Sequence, residues 1–380
     1  MRIGIEAQRI FRKEKHGMDM MAVELIKNLQ NLDQTNEYFI FVNPDEDGEV
    51  IQPGPNFTVV PLQRSPYPVW EQVFLARAAK KYRLDLLHCT SNTAPITIDV
   101  PLILTLHDII YLEKLDWKSG SWYQRLGNLY RRWNVPVIVK KAARILTVSK
   151  FEEKRIRSRF KLSPGKVEVV YNGIGKHFRR LDNRVAEKRR KQLGLPERYA
   201  LFLGNTDPKK NLYGLVDALK ILDERGELTI TCVITDLKEE VLLPILKERN
   251  AENIREKIHL TDYVLNKDMP ALYNNSLFFL YISLRESFGL PILEAMACGC
   301  PVLTSTTSSM PEIAGDAAML VDPTDSEAIC AAMNRMMNDE ILRQTLKDKG
   351  LNRPLSFSYK TRVERIIAIY NEVFRETYER

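Results

Sequence analysis

The sequence lacks several features, and each absence excludes a class of protein. No apolar run approaches the roughly 20 residues that a helix needs to span a bilayer. The N-terminal MRIGIEAQRI enters a strand-like pattern directly, without the apolar stretch of a signal peptide, so we expect a cytoplasmic protein. Cysteine is scarce, and its spacing fits neither a zinc knuckle nor a redox motif, which indicates reduced and buried thiols. The cysteines are Cys89, Cys232, Cys298, Cys300 and Cys330.

Motifs for metals, nucleic acids and dinucleotides are also missing. The chain has no GxGxxG fingerprint, no zinc-finger, RNP-type or basic-region pattern and no repeat of solenoid length. Asp45, Glu46 and Asp47 superficially match a DxD metal motif, but they lie in a polar turn beside Gly48, as solvated acidic loops do. We therefore expect no metal, no cofactor and no nucleic-acid partner. The net charge of +7 fits an acidic ligand or an anionic membrane surface and requires neither.

Short runs rich in Val, Ile and Leu recur along the whole chain. Many are nearly continuous rather than alternating, as expected for parallel strands buried on both faces. The first set of predicted strands comprises residues 3–7, 38–42, 57–60, 84–89, 102–106 and 145–148. The second set comprises residues 167–170, 200–203, 228–234, 258–260, 277–282, 301–304 and 318–321.

Segments with helical periodicity separate these strands, which predicts an α/β protein with two doubly wound domains. At 380 residues the chain is long enough for two cores. We place the domain boundary in YNGIGKHF, which gives domains of residues 1–172 and 173–357, and a last helix-compatible segment over 358–380. The predicted helices are residues 20–32, 69–82, 211–225, 238–248, 268–274, 293–297 and 326–337.

The most informative stretch is residues 281–322, which read YISLRESFGLPILEAMACGCPVLTSTTSSMPEIAGDAAMLVD. Glu286 is predicted at the end of a strand, Gly289 and Pro291 follow it, and Glu294 is predicted in the first turn of a helix. A helix N-terminus offers free N–H groups and a positive dipole end, which suit a phosphate. Carboxylates beside it accept hydrogen bonds from ribose or sugar hydroxyls. The stretch therefore predicts a nucleotide or nucleotide-sugar pocket.

Two further loops follow strands in the first half of the chain. His107 and Asp108 end the strand LILTLHD, where a pocket residue is expected, although a histidine there also serves as a local hydrogen-bonding group. The segment HGMDMM opens a helix, and Gly17 would let a phosphate approach the backbone. A plain loop is the competing interpretation of this single glycine.

The segment FLGNTDPKKNLYGLVDAL, residues 202–219, reads as strand, loop and helix. Lys209 and Lys210 stand before the helix and would neutralise a diphosphate, unless they are merely solvated. Pro208 and Asn211 fit a turn and a helix N-cap.

Aromatic and basic residues are combined over residues 117–144. Such a segment binds an anionic membrane surface, or else it is a long helix that packs its aromatic side chains inward. The residues are Trp117, Trp122, Tyr123, Tyr130 and Trp133 with Arg125, Arg131, Arg132, Lys140, Lys141 and Arg144.

The string ESFGLPILEAMACGCPV, which begins at Glu286, resembles the retaining GT-B glycosyltransferases of family 4. Weaker markers occur in the family's order, so the resemblance covers essentially the whole chain. They are the Gly17 loop, His107 with Asp108, VSKFEEKRI from Val148, YNGI from Tyr171 and PKKN from Pro208.

The resemblance implies two Rossmann-like domains facing across a cleft, with a C-terminal helix returning to the first domain. It implies a nucleotide-sugar donor held mainly by the second domain, with His107 and Glu286 as catalytic residues near the transferred sugar. Glu294 would bind the ribose, and the other donor-binding positions would lie at or near the diphosphate. These positions are Gly17, Asn205, Lys209, Lys210, Ser287, Phe288, Gly289 and Leu290.

The sequence departs from the family pattern in two loops. Many members have an arginine where this chain has Asn205, so Lys209 is a candidate substitute for its charge. The first loop often reads GIGRY, and here it reads HGMDMM.

The resemblance predicts a metal-independent retaining hexosyltransferase that uses a saccharide or lipid-linked acceptor in cell-surface polysaccharide synthesis, with peripheral association at the inner membrane face. The PKKN variant favours mannose from GDP-mannose over UDP-glucose. Two alternatives stay open. One is another GT-B enzyme, such as a nucleotide-sugar epimerase or a sugar phosphorylase, and the other is a non-enzymatic nucleotide-sugar-binding module.

Overall fold

The computed structural model describes residues 1–13, 17–45, 47–112, 122–204 and 207–379, with only the backbone of residues 122–125. Asn205, Trp117 and Glu46 therefore lie outside the described residues. Contacts divide the chain into two compact units. Unit 1 is Met1–Gly173 with Tyr359–Arg380, and unit 2 is Ile174–Ser358.

Unit 1 is built on a seven-stranded parallel sheet with the strand order β3-β2-β1-β4-β5-β6-β7. A π-helical turn, Trp70–Leu75, joins two of its short helices, and a 3-10 turn spans Ile110–Leu112. In chain order its elements are β1 (Arg2–Glu6), α1 (Gly17–Leu32), β2 (Glu37–Val42), β3 (Phe57–Pro61), α2 (Tyr67–Val69), α3 (Ala76–Lys81), β4 (Leu86–Cys89), β5 (Leu102–Thr105), α4 (Trp122–Lys141), β6 (Arg144–Thr147), α5 (Lys150–Phe160) and β7 (Val167–Val169).

Unit 2 is built on a six-stranded parallel sheet with the order β10-β9-β8-β11-β12-β13. Its 3-10 turns are Pro208–Lys210, Glu252–Lys257 and Arg353–Ser356. Its elements are α6 (Asn183–Gln192), β8 (Tyr199–Leu203), α7 (Leu212–Glu224), β9 (Thr231–Thr235), α8 (Glu239–Glu248), β10 (Ile258–Leu260), α9 (Met269–Asn275), β11 (Phe278–Tyr281), α10 (Leu290–Ala297), β12 (Val302–Ser305), α11 (Met310–Ala314), β13 (Ala318–Val321), α12 (Ser326–Asn338) and α13 (Glu340–Asn352).

The final helix, α14 (Tyr359–Tyr378), packs on unit 1. Its apolar face, which includes Val363 and Ile366, joins the core formed by β1 and α1. Tyr370 contributes a polar anchor, because its hydroxyl lies 2.7 Å from Nδ1 of the buried His88 in β4. The prediction that the C-terminal helix returns to the first domain is confirmed.

The predicted α/β class with two parallel sheets is confirmed, while some boundaries differ. The strand predicted over 167–170 was grouped with the second set, but β7 pairs with β6 in the first sheet. The strand predicted over 228–234 begins only at Thr231. The helix predicted over 69–82 begins at Tyr67 and contains the π-helical turn.

Two helices that the periodicity did not predict are almost wholly polar. In α5 the buried positions are Glu152 and Ile156, and in α6 the buried position is Ala186 alone. Hydrophobic periodicity cannot reveal a helix that buries so few apolar residues. Capping side chains give a weak local signal instead, since Ser149 accepts a hydrogen bond from Glu152 N at the start of α5.

Candidate functional site

Each sheet has a point where the strand order reverses. In unit 2, β8 lies between β9, which follows it in the chain, and β11, to which the chain returns later on the other side of β8. In unit 1, β1 lies between β2 and β4 in the same way. Loops that diverge from neighbouring strand ends leave a crevice, and ligands of open α/β sheets bind there. In unit 2 the two loops that flank this point carry Lys210 and Glu286.

The Lys210 and Glu286 side chains form an ion pair at this point of unit 2. Lys210 Nζ donates to Glu286 Oε1 at 2.7 Å and to the Tyr281 hydroxyl at 3.1 Å. The ammonium also lies 4.9 Å from the centre of the Tyr281 ring. The two charged side chains are only 15% and 13% exposed, so their charges are weakly screened. The structure thus joins two residues that the sequence predicts separately, and it adds Tyr281, which the sequence reasoning missed.

Backbone and amide contacts hold the loops that carry this pair. Leu284 N donates to Lys209 O at 2.7 Å, which ties the loop after β11 to the loop after β8. Asn211 is left-handed, with φ 65°, and occupies the N-cap position of α7 without a side-chain capping bond. Its Nδ2 donates instead to Ile282 O at 3.2 Å and Pro323 O at 2.6 Å. Asn211 thus occupies the predicted N-cap position, but its side chain connects strand-end loops instead of capping the helix.

Lys209 is placed differently from Lys210. Its ammonium pairs with Asp207 Oδ2 at 3.2 Å, and its side chain is 38% exposed. The same Asp207 accepts a hydrogen bond from Lys209 N and caps the 3-10 turn. The two lysines are adjacent in sequence, but only Lys210 reaches the Glu286 carboxylate.

Helix α10 begins directly after the loop that contains Glu286. Gly289 occupies its N-cap position with φ 101°, a left-handed conformation that favours glycine. Ser309 Oγ donates to Glu286 O at 2.9 Å and to Phe288 O at 2.8 Å, which orients the peptides leading into the helix. The first N–H groups of a helix have no intrahelical acceptor, so this terminus is suited to an anion.

Two predicted positions in this stretch need correction. The strand ends at Tyr281, so Glu286 lies in the loop five residues beyond it rather than at the strand end. Because α10 already begins at Leu290, Glu294 lies in its second turn.

Phe288 and Ser287 are among the predicted diphosphate contacts. Phe288 is buried and packs its ring against Phe357, with ring centroids 5.9 Å apart, which leaves its backbone for contact with a ligand. Ser287 precedes it in the same loop.

Glu294 is a half-buried carboxyl group next to Tyr273. Burial raises its pKa to about 7, and a hydrogen bond from the Tyr273 hydroxyl, 3.3 Å from Oε2, opposes the rise. The group therefore changes charge close to neutral pH. Ionised, it accepts hydrogen bonds from a ligand's hydroxyl groups, and protonated it is a weaker acceptor.

The Glu294 carboxyl group predicts a pH-dependent donor affinity. If Glu294 binds the ribose, as the resemblance implies, the carboxyl group must lose its proton on binding below pH 7, and affinity for a nucleotide sugar should fall by up to about tenfold per pH unit below 7. Nucleotide sugars have no phosphate group that titrates in this range. Calorimetric titrations from about pH 5.5 to about pH 8 would measure this change in affinity.

Glu294→Gln is the matched control for that experiment. The variant should bind roughly 10- to 100-fold more weakly at pH 8, through loss of charge-assisted hydrogen bonds, and should show a flat pH profile. An unchanged pH profile in Glu294→Gln would assign the titration to another group.

In unit 1, His107 lies two residues beyond β5 and is buried. Its backbone N donates to Asn92 Oδ1 at 2.7 Å, and its Nε2 lies 3.0 Å from Thr90 O. A carbonyl only accepts, so Nε2 carries the proton and Nδ1 is the acceptor. Burial lowers the pKa of His107 to about 4, and the positive charge of Arg362 contributes to the shift. The imidazole is therefore neutral at physiological pH.

Gly17 is the first residue of α1, on the same unit as His107. The neighbouring Met18 Sδ lies 3.8 Å from Asn92 Nδ2, so the beginning of α1 lies near the residue that fixes His107. Among the described residues, no atom lies within 4 Å of a Cβ built on Gly17. The described packing of unit 1 therefore does not require glycine at this position.

Because Gly17 has space around it within the described residues, Gly17→Val should leave the stability of the protein unchanged and affect only ligand binding. We expect the melting temperature of the variant to stay within about 2 °C of that of the unaltered protein, because surface substitutions usually change stability by less than about 0.5 kcal/mol. Donor affinity should fall if the diphosphate approaches this backbone. The control is Gly48→Val, at an exposed turn residue whose added Cβ likewise meets no atom of the described residues within 4 Å. Equal donor affinity in both variants would remove Gly17 from the site.

Two buried carboxylates at the carboxyl edge of the first sheet were missed by the sequence reasoning. Glu6, the last residue of β1, accepts from Gln8 N at 3.0 Å and Thr90 N at 3.2 Å, and burial raises its pKa. Glu71, in the π-helical turn, has its pKa raised to about 7 by burial. Its carboxylate accepts hydrogen bonds from the side chains of Tyr67, Gln72, Thr93 and Tyr130. For Glu6 the sequence offers one signal, a charged residue at the end of the apolar run IGIE.

The aromatic side chains described on α4 point in different directions. Tyr130 faces inward and donates to Glu71 Oε1 at 2.5 Å, whereas Trp133 is 58% exposed. Neither the inward-packing nor the surface-binding interpretation accounts for both. No described helix is long and apolar enough to cross a membrane. Within the described ranges, no group of three or more His, Cys, Asp or Glu residues is placed to hold a metal ion.

Comparison with known proteins identifies the fold and the family. Two parallel sheets of this strand order, joined as two units in one chain, define the GT-B fold. Sucrose-phosphate synthase from Thermosynechococcus elongatus has a similar structure, with a TM-score of 0.75 and 18% identity over 99% of each chain. Residues 16–176 match the family described as Glycosyltransferase Family 4, and residues 184–353 match Glycosyl transferases group 1. The chain belongs to the group 1 glycosyltransferases.

Curated relatives match parts of the chain. O-antigen chain mannosyltransferase B of Escherichia coli is 34% identical over 175 residues, 45% of this chain and 45% of that protein. The serotype-specific mannosyltransferase WbdA of Escherichia coli is 25% identical over 299 residues, 77% of this chain and 36% of that protein. The matches thus span less than half the length of either relative.

Proposed function

We propose that the protein is a retaining hexosyltransferase that transfers mannose from GDP-mannose to a glycan or lipid-linked saccharide in cell-surface polysaccharide synthesis. The observation that carries the proposal is the Lys210–Glu286 pair at the switch point of unit 2, beside the N-terminus of α10. Family membership supports glycosyl transfer, and the names of the two relatives support mannose as the sugar.

In this proposal unit 2 binds the donor. The leaving diphosphate gains negative charge in the transition state, and Lys210 with the first amides of α10 stabilises that charge without a metal. Glu294 accepts hydrogen bonds from the ribose hydroxyls. Glu286 holds the Lys210 ammonium through its carboxylate and contacts the transferred sugar.

Unit 1 is assigned to the acceptor side of the reaction. His107 is neutral, and its protonated Nε2 is engaged by Thr90 O, so its remaining polar atom is the Nδ1 acceptor. We assign it to a hydroxyl of the transferred sugar rather than to proton transfer, because a pKa of about 4 makes it a weak base.

Retention is proposed to occur by front-face attack, in which a diphosphate oxygen takes the proton of the acceptor hydroxyl. The bond from the anomeric carbon to the diphosphate breaks as the bond to the acceptor oxygen forms on the same face. Intact-mass spectrometry of the native protein with GDP-mannose tests this step. Accumulation of a covalent glycosyl-enzyme would replace it with a double-displacement mechanism.

A panel of GDP- and UDP-sugars in a thermal-shift assay tests the donor, because a ligand that binds the folded state raises the melting temperature. GDP-mannose should give the largest shift. Product analysis with the selected donor, with and without a mannose-terminated oligosaccharide, then tests the reaction. Transfer that depends on the oligosaccharide supports the proposal.

The same product analysis separates the alternatives. An isomerised nucleotide sugar without acceptor would indicate an epimerase, and a sugar phosphate formed from oligosaccharide and inorganic phosphate would indicate a phosphorylase. Tight nucleotide binding without any product across the acceptors would indicate a binding module.

A further inference from the structure

Asn92 has an unusual backbone conformation for a buried residue. It lies in the loop after β4, its φ is 69°, and only 3% of its surface is exposed. Few residues other than glycine and asparagine adopt this left-handed conformation, and the surrounding structure must hold them in it. One such contact is the hydrogen bond from Asn92 N to Thr105 O at 3.2 Å, which ties the loop to the end of β5. Residues held in this way cluster at ligand-binding sites.

The two ends of the Asn92 amide have unequal partners. Oδ1 accepts a hydrogen bond from His107 N at 2.7 Å, so it holds the backbone that carries the imidazole. Nδ2 has two hydrogens to donate, and within the described residues its acceptor is Met18 Sδ at 3.8 Å. A thioether sulfur is a weak acceptor. A buried donor with so poor a partner is costly, and an oxygen of a ligand would remove that cost.

Nδ2 lies beside the first turn of α1. Met18 is the second residue of this helix, and helical side chains lean toward the N-terminus, so the contact with its sulfur places Nδ2 near the first N–H groups. These groups have no intrahelical acceptor, and the positive end of the helix dipole lies there. Asp19, the acidic residue of this turn, is buried and has an interaction of its own. Donors from two segments, the α1 terminus and Asn92, therefore lie close together.

Arg362 adds a positive charge on the same side of α1. Its guanidinium is buried, donates to Asn172 Oδ1 and lies with Nη1 3.1 Å from Met21 Sδ. Met18 and Met21 share one face of the helix, because side chains three residues apart are neighbours. In the part of the chain that the structure describes, Arg362 forms no ion pair. Buried arginines are almost always paired, so a bound anion is the expected counter-charge.

We propose that Asn92 has two roles in the transfer reaction: its Oδ1 orients His107, and its Nδ2 donates to an oxygen of the donor diphosphate beside the first turn of α1. A diphosphate suits this place better than a neutral hydroxyl group, because the helix terminus and Arg362 both favour negative charge. The first role makes Asn92 a positioning residue for His107, and it is testable without any ligand. The second makes Asn92 a further donor-binding residue, and it presupposes the nucleotide-sugar donor of the proposed function.

Asn92→Asp and Asn92→Gly test the two roles. Aspartate has the same shape and keeps an acceptor for His107 N, but it replaces the Nδ2 donor with a negatively charged oxygen. Glycine adopts the same φ without strain and removes both ends of the amide. In calorimetric titrations Asn92→Asp should bind GDP and GDP-mannose about 10- to 100-fold more weakly, by the same factor for both ligands. Unchanged affinity, or a loss with GDP-mannose alone, would overturn the contact with the diphosphate.

Asn92→Gly should lower kcat at saturating donor by about tenfold or more, because His107 is no longer held in place. Without ligand, the His107 N–H should exchange with solvent faster in Asn92→Gly than in Asn92→Asp, since only aspartate retains its acceptor. Equal exchange in the two variants would overturn the positioning role. A panel in which no nucleotide sugar binds would refute the proposed donor and with it the diphosphate contact, whereas the exchange result would stand.

Asn250→Asp and Asn250→Gly are matched controls, because Asn250 is an exposed left-handed asparagine of unit 2, with φ 49°. They should leave donor affinity and kcat unchanged. Arg362→Met should weaken binding of both nucleotides about fivefold or more, whereas Arg365→Met, which removes an exposed charge of α14, should not. Equal losses in these two arginine variants would reduce the effect to net charge and overturn the diphosphate site.

Discussion

Lys210→Ala is expected to lower kcat/KM for transfer from GDP-mannose by about 100- to 1,000-fold, the usual loss when one preorganised donor to a developing negative charge is removed. Its ammonium is fixed by Glu286 and the Tyr281 hydroxyl, so it requires little reorganisation in the transition state. The measurement is the rate of GDP release with a mannose-terminated oligosaccharide as acceptor, together with the melting temperature.

Lys209→Ala is the informative comparison for this variant. It removes the same charge one residue away, but this ammonium is 38% exposed and paired with Asp207. We expect a loss of less than about tenfold, because exposed ion pairs in water contribute little. Equal losses in both variants would mean that net positive charge, and not the geometry of Lys210, supports the reaction.

Glu286→Gln should have the second large effect, a decrease of about 100-fold or more in kcat with a change of less than about threefold in donor affinity. Glutamine preserves the shape of the side chain and an oxygen for Lys210, but it removes the negative charge beside the ammonium and, in the proposed reaction, beside the transferred sugar. Steady-state kinetics and calorimetric titration with GDP-mannose separate the two quantities.

A double-mutant cycle connects these two predictions. Because Lys210 and Glu286 are in direct contact, their effects on kcat/KM should not be additive, and the double variant should lose less than the product of the single losses. Additive losses would show that the two residues act independently. A loss confined to donor affinity in Glu286→Gln would assign that residue to binding alone.

Much of the fold follows from short-range patterns in the sequence. Nearly continuous apolar runs predicted strands that the two parallel sheets contain, because such runs are stable only when buried on both faces. The helices α5 and α6 escaped prediction because they bury only Ile156, Glu152 and Ala186, too few for a periodic signal. The sequence also carries no pattern for the π-helical turn at Trp70–Leu75. This turn contains the buried Glu71, whose partners Thr93 and Tyr130 come from other segments of the chain.

The candidate site was only partly predictable, for a related reason. Gly289 was identifiable as a turn residue before a helix, because a glycine before Leu-Pro is a local signal for a helix N-terminus, although the predicted helix began at residue 293 and α10 begins at Leu290. Glu6 and Asn92 were missed because their contacts to Thr90 and His107 join segments distant in the chain. Periodicity carries no information on which strand ends become neighbours.

By itself the sequence determined the α/β class, the two sets of strands and the polar loops that follow them, since these depend on residues close together in the chain. Only the tertiary structure decided which loops meet. Lys210 and Glu286 are 76 residues apart, and they form a pair because β8 and β11 lie side by side in the sheet. Local preferences select elements, whereas burial of their shared core sets the neighbours and so builds the sites.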